Sequence, residues 1–134
     1  MDELGGRSLI ESLLVPTAIY VKPVLALTEK VRVKGISHIT GGGFYENIPR
    51  SVPAGLCAVI EKSAVKVPAI FRMIQKAGGI PERDMFNTFN MGVGMSITVK
   101  QEDAETALDV LKSNGIDAYV IGEIKKAEER ICLC

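Results

Sequence analysis

The sequence has no surplus charge of either sign: 16 basic and 16 acidic residues leave a formal net charge of zero over 134 residues. That balance cannot neutralise a row of phosphates, so nucleic acid is not expected as a partner. No apolar run approaches the ~20 residues that a bilayer-spanning helix needs, and no membrane association is expected. The N-terminus, Met1-Asp2-Glu3-Leu4-Gly5-Gly6, lacks the basic and apolar regions of a signal peptide. Cysteine is scarce and odd in number: Cys57, Cys132 and Cys134 form no C-x-x-C pair. The Cys-Leu-Cys at the end offers two ligands, too few for a metal site, so no metal is expected and the thiols read as reduced in a cytoplasmic protein. There is no internal repeat, no low-complexity segment and no interdomain linker. Two familiar phosphate loops are also missing, because no Gly-Lys-Ser/Thr follows the glycine-rich stretch and no G-x-G-x-x-G spacing occurs.

What is present suits one domain. With 47% hydrophobic and 24% charged residues the composition is close to that of an average globular protein, and 134 residues can bury a real core. Residues 1–12 read as a lead-in. Leu13 to Val21 reads as extended, with Pro16 inside it. Pro23 suits the first position of a helix whose apolar face is Val24, Leu27 and Val31. Val33 to Ile39 reads as a strand rich in β-branched residues, and the apolar run Leu56 to Ile60 as a buried one. Pro68 starts a helix with Ile70, Ile74 and Ala77 on one face, stopped by Gly78-Gly79. A short helix over Pro81 to Phe89 and a strand over Met91 to Val99 follow. Gln101 to Asn114 is the clearest helix, with Glu102, Asp103 and Glu105 near its positive end and Ala104, Ala107, Leu108 and Leu111 on its buried face. Ala118 to Ile124 reads as a last strand, followed by a polar tail, Lys125 to Arg130. Strands alternating with helices predict an α/β (mixed α+β) fold: a single mixed sheet with packed helices, forming one domain over 1–134.

One stretch has the composition of a site: Gly35-Ile36-Ser37-His38-Ile39-Thr40-Gly41-Gly42-Gly43-Phe44-Tyr45-Glu46-Asn47-Ile48-Pro49-Arg50. Three consecutive glycines cost backbone entropy and bury no side chain, so a purely structural turn rarely needs all three. They offer bare N–H groups that can curl around an anion beside a helix start. The only histidine of the chain leads into this loop, and Glu46, Asn47 and Arg50 leave it. The competing reading is a tight turn that brings a helix close to a strand, with His38 hydrogen-bonded at a strand end and Arg50 a solvated charge.

Leu14-x-Pro16-Thr17-x-Ile19-Tyr20-Val21-Lys22, then His38-Ile39-Thr40-Gly41-Gly42-Gly43-Phe44-x-Glu46-Asn47-Ile48-Pro49-Arg50, then Thr88-Phe89-Asn90-x-Gly92-Val93-Gly94-Met95, form three collinear motifs. As a set they resemble the aminoimidazole ribonucleotide synthetase family, also called phosphoribosylformylglycinamidine cyclo-ligase, and specifically its C-terminal half. The Thr-Gly-Gly-Gly loop alone is also similar to that of formylglycinamidine ribonucleotide synthetase and selenophosphate synthetase; the Glu-Asn-Ile-Pro-Arg continuation points to the cyclo-ligase. The resemblance implies ATP-driven ring closure of formylglycinamidine ribonucleotide, a small-molecule substrate. It implies ATP and Mg2+ bound mainly by an N-terminal half as partner domain, a homodimer for the full-length enzyme, and no activity for this chain alone. In that setting His38 is the candidate catalytic acid, since imidazole titrates in the useful range. Gly41, Gly42, Gly43 and Arg50 are candidates for holding a 5′-phosphate, and Thr40, Glu46, Asn47 and Asn90 are the remaining substrate-binding candidates. Two positions depart from the family pattern: Ala18 stands where a basic residue is usual, and Met91 where a cysteine is frequent. The alternatives are a non-catalytic binding or assembly module on the same fold, and a fragment of a related ATP-dependent synthetase.

Overall fold

Helices and strands alternate in the structure, a computed structural model that describes residues 4–134. In chain order the elements are α1 (Leu9–Leu13), α2 (Val21–Lys30), β1 (Gly35–His38), α3 (Gly43–Asn47), β2 (Leu56–Ile60), α4 (Ala69–Gly78), α5 (Glu82–Thr88), β3 (Met95–Thr98), α6 (Ala104–Ser113), β4 (Gly122–Lys126) and β5 (Ile131–Leu133). The class is the expected mixed α/β.

The strands form two small sheets instead of one. β1 pairs antiparallel with β3, with His38 opposite Met95. β2 lies between β4, antiparallel, and β5, parallel. The split follows from two places where strand was expected. Asn90 to Val93 turns back on itself, so β3 begins only at Met95. Ile116 to Ile121 runs without regular pairing, so β4 begins only at Gly122 and extends to Lys126. A cavity of about 620 Å³ separates β3 from this stretch.

Each sheet has its own apolar cluster. Leu27 and Val31 of the α2 end meet Ala107 of α6, with Val33, Ile97 and Val99 around them. The larger cluster joins Ile39, Phe44, Ile48 and Val52 to Ala58 and Ile60 of β2 and to Met85 and Phe86 of α5. Phe44 and Phe86 meet edge to face with centroids 5.1 Å apart. Burying Phe44, Leu27 and Met85 completely contributes roughly 1.5–3 kcal/mol each.

The N-terminal stretch differs from the expectation. Residues 1–3 of the lead-in lie outside the described residues, while Leu9–Leu13 is helical and only Leu14 to Tyr20 lacks regular structure. Ser8 starts α1 with a capping box: its hydroxyl accepts from the Glu11 N–H at 3.2 Å, and the Glu11 carboxylate accepts from the Ser8 N–H at 2.8 Å. The Ser8 backbone N–H first, and then the Ser8 side chain, hold the Glu11 carboxyl below its usual value of 4.5. A lowered folded-state pKa stabilises above the unfolded value and is lost as pH falls through the folded one. Acidification below 4.5 should therefore fray α1 before the helices of the core. Amide exchange at Ser8 to Ser12 rising ahead of that at α6 is the expected result; simultaneous rise in both would refute it.

Candidate functional site

The Gly-Gly-Gly loop is built by two positive-φ residues and one side-chain clip. β1 runs into Ile39, whose N–H donates to the Gly94 carbonyl at 2.8 Å. The chain then turns, with Gly42 at φ 94 and Gly43 at φ 59, and α3 begins. The Gly43 N–H closes the turn on the Thr40 carbonyl at 3.1 Å. Asn47, only 2% exposed, reaches back from the end of α3. Its amide donates to the carbonyls of Thr40 (3.3 Å), Gly41 (3.2 Å) and Gly43 (2.8 Å), and its Oδ1 accepts from Arg50 at 3.3 Å. Three acceptors on one end and a guanidinium on the other fix which end of the amide is which.

The three glycines do three different things. A Cβ on Gly43 would strike the carbonyl oxygens of Phe86 and Phe89, so this glycine lets α5 approach. A Cβ on Gly42 would strike the Glu46 carboxylate, which folds back over the loop. A Cβ on Gly41 would meet nothing within 4 Å. Of the expected amide cradle, Gly43 is committed inside the turn, whereas the N–H groups of Gly41 and Gly42 take no partner among the described residues.

His38 is exposed at the end of β1, on the face opposite the buried Ser37. Tyr20, at the start of α2, meets its ring edge-on at 6.0 Å. Gly94 makes room for this tyrosine, since a Cβ there would overlap the Tyr20 hydroxyl. Partial burial raises the phenol's pKa above 10.0, so Tyr20 stays neutral and can only hydrogen-bond. Asn90 opens a turn with Met91 at φ 51 and Gly92 at φ 92, closed by the Val93 N–H on the Asn90 carbonyl at 2.9 Å. Its Oδ1 also accepts from the Gly92 N–H at 2.9 Å. Both positive values mark a type I′ turn, a conformation that favours glycine or asparagine over a buried methionine.

His38, Thr40 and Asn90 line one cleft of about 860 Å³, together with Tyr20 and the stretch Val15 to Ala18. Glu46, Asn47 and Arg50 are not among its lining residues; Glu46 and Arg50 are exposed. The cleft also takes in Arg7, Ser12 and Thr17, which were not among the residues predicted as site. Thr17 and Tyr20 carried a signal, since both sit in the Pro-Thr-x-Ile-Tyr motif. Arg7 and Ser12 carried none, because a polar residue in a presumed lead-in looks like any surface residue. Among the described residues no group of three or more His, Cys, Asp or Glu side chains could hold a metal. No helix among them is long and apolar enough to cross a membrane.

A two-sheet α/β domain, with a glycine loop clipped by an asparagine beside a cleft bearing a histidine, is the class of protein at hand. The chain belongs to the family described as AIR synthase related protein, C-terminal domain, which matches residues 2–132. It is 56% identical over 132 residues to a phosphoribosylformylglycinamidine cyclo-ligase of Caldicellulosiruptor bescii, covering 98% of this chain and 38% of that protein. It is 52% identical over 134 residues to that of Lachnoclostridium phytofermentans, covering 99% and 39%. With that of Staphylococcus carnosus it shares 47% over 125 residues, covering 93% and 36%. The chain thus spans well under half the length of these relatives.

Proposed function

We propose that this chain is one domain over 1–134, the substrate-side C-terminal part of an ATP-dependent cyclo-ligase. The enzyme converts formylglycinamidine ribonucleotide to aminoimidazole ribonucleotide in cytoplasmic purine biosynthesis. The observation that carries this reading is the meeting of His38, Thr40 and Asn90 in one cleft beside the glycine loop, in a chain whose relatives carry the cyclo-ligase name.

Ring closure phosphorylates the formyl oxygen, lets an amidine nitrogen attack that carbon, and expels phosphate. His38, exposed and steadied at the ring edge by Tyr20, is placed to donate a proton or hydrogen bond to the oxygen that gains charge. The Thr40 hydroxyl and the Asn90 amide, whose Oδ1 is already held by Gly92, orient the amidine. The free N–H groups of Gly41 and Gly42, with the Arg50 guanidinium held on Asn47, form a rim of donors for neutral polar groups of the substrate. Gly43 and Asn47 serve this rim by shaping it. Glu46, exposed with its carboxylate over Gly42, is left as a polar contact for the amidine-bearing substrate. ATP supplies the phosphoryl group, and in this reading its Mg2+ is held mainly by the N-terminal half of the enzyme.

An N-terminal domain as partner is supported by the surface of this one. Leu13, Leu14, Ile19, Val21 and Leu25 are 58–81% exposed along a single stretch of chain. Such a concentration of exposed apolar side chains marks a surface that another part of the protein covers. In this reading the full-length enzyme is a homodimer, and the chain alone turns nothing over.

The test joins this chain to the N-terminal portion of the Caldicellulosiruptor bescii relative and measures turnover. His38→Ala is expected to lower kcat by about 10²–10⁴-fold, the usual worth of a positioned acid, with an unchanged circular dichroism spectrum. Turnover at the unsubstituted rate would sink the assignment. A second variant reads the rim. Gly41→Ala meets no neighbour, so a rise in KM for that variant without loss of stability is the expected sign of a ligand at the Gly41 amide; an unchanged KM refutes it.

A further inference from the structure

The polar lining of the cleft is one-sided in charge. Arg7 contributes a guanidinium, His38 an imidazole, Ser12, Thr17 and Thr40 hydroxyls, and Asn90 an amide. Among the described residues that line it there is no aspartate and no glutamate. The described lining therefore carries one guanidinium and no carboxylate, in a chain that has 16 acidic residues. The Glu11 carboxylate accepts from the Ser8 N–H at 2.8 Å, capping α1. Arg7 has no ion pair among the described residues, although its charge reaches Glu11 and helps to lower that carboxyl's pKa. A guanidinium lining a cleft together with hydroxyls, and without an ion pair among the described residues, is side-chain chemistry that recognises a phosphate monoester.

The glycine loop is less suited to the same ligand group. The Gly43 N–H is used by the Thr40 carbonyl, the Glu46 carboxylate lies over Gly42, and Arg50 already shares its charge with Asn47. A dianion placed there meets a fixed negative charge from Glu46.

We propose that Arg7 is the anion-pairing residue of the cleft: it holds the substrate's 5′-phosphate, leaving His38, Thr40 and Asn90 to the reacting groups. The proposal rests on the ribonucleotide reading above for the ligand's identity, and on the cleft's composition for the position of its phosphate. It also places the functional work of the N-terminal stretch in the cleft, where sequence alone suggested only a lead-in.

The experiment is an NMR titration of the whole 134-residue chain with ribose 5-phosphate as probe, repeated with ribose and with inorganic phosphate. Shifts at Arg7, Thr17 and His38 with ribose 5-phosphate are expected, and Arg7→Gln should weaken that binding by about ten- to hundredfold, the range of one charge-assisted pair. Arg7→Lys should recover part of it. Equal affinity in the parent chain and Arg7→Gln would overturn the proposal. So would shifts confined to Gly41 to Gly43 that vanish in Arg50→Gln, or no binding of either phosphate compound. If ribose 5-phosphate binds through Arg7 but formylglycinamidine ribonucleotide binds no better than ribose 5-phosphate, the phosphate seat stands and the cyclo-ligase reading of the cleft falls.

Discussion

Gly43→Ala should cost the domain at least about 3 kcal/mol of stability, placing it in the tail of point-mutant effects that have a single mechanical cause. Two causes act here together. At φ 59 the backbone is left-handed, and a Cβ in that region adds roughly 1–2 kcal/mol. The same Cβ would overlap the Phe86 carbonyl oxygen and sit 2.7 Å from that of Phe89. Neither oxygen can yield cheaply, because the end of α5 is anchored by Met85 and Phe86, which are 0% and 3% exposed. Relief therefore requires α3 to separate from α5, which opens the Phe44–Phe86 contact and the larger core. Against a total of about 5–15 kcal/mol for a domain, this loss is a large fraction. Urea unfolding provides the measurement: the midpoint for Gly43→Ala should fall sharply, while Gly41→Ala, with normal φ and open space, should stay within about 0.5 kcal/mol of the parent. Equal midpoints for the two variants would show that the loop is not wedged against α5.

That contrast also marks where the sequence was legible. Three glycines announced a special turn, and His38 before them announced chemistry, but the division of labour among the glycines depends on contacts from Phe86 and Phe89, forty residues away. Local signals did well where they were sufficient by themselves. Leu56–Ile60 is a strand with the bounds its apolar run suggested, Pro68 precedes α4, and Gly79 ends it in the left-handed conformation. The buried face of α6 falls on Ala107, flanked by the half-buried Leu108 and Leu111. Ala77 of α4, expected on an apolar face, is exposed, because α4 lies shallowly on Phe71 and Ile74 and buries no residue fully. The failures share a cause. Asn90-Met91-Gly92-Val93 looks like the start of a strand because Met and Val are strand formers, yet Asn90 and Gly92 close a type I′ turn that holds Met91 at positive φ. Ile131–Leu133 is only three residues long and becomes a strand by pairing with β2, seventy residues earlier in the chain. The cleft was legible only in part for the same reason: Arg7 and His38 are brought to one cavity by the tertiary path of the N-terminal stretch, which no local pattern encodes.

Asn47→Asp is the second large effect, and it has a signature in pH. The substitution keeps the shape of the side chain and replaces a donor that serves three carbonyls with an acceptor. Ionised, the new carboxylate would face the oxygens of Thr40, Gly41 and Gly43 at a position that is 2% exposed. Desolvation and the three carbonyl dipoles both disfavour the charged form, while the Arg50 guanidinium, 3.3 Å from Oδ1, favours it only from the exposed side. The balance raises the folded-state pKa above the unfolded value of about 3.9. A raised carboxyl pKa means the native state holds a proton that the unfolded state has lost, so stability falls as pH rises between the two values, by about 1.4 kcal/mol for each unit separating them. Below pH ~3.9 both states are protonated, and the neutral acid still donates one of the lost hydrogen bonds, so the variant should come closest to its parent there. At neutral pH the loss should reach about 3 kcal/mol, the cost of stranding buried carbonyls next to a charge. Urea midpoints for Asn47→Asp and its parent, measured from pH 4 to 8, should therefore diverge as pH rises. A constant gap would mean that solvent reaches the clip and that Asn47 contributes shape alone. Because Thr40 heads the loop and lines the cleft, loosening this clip should also broaden the Thr40 and His38 signals, linking the stability of the loop to the order of the site.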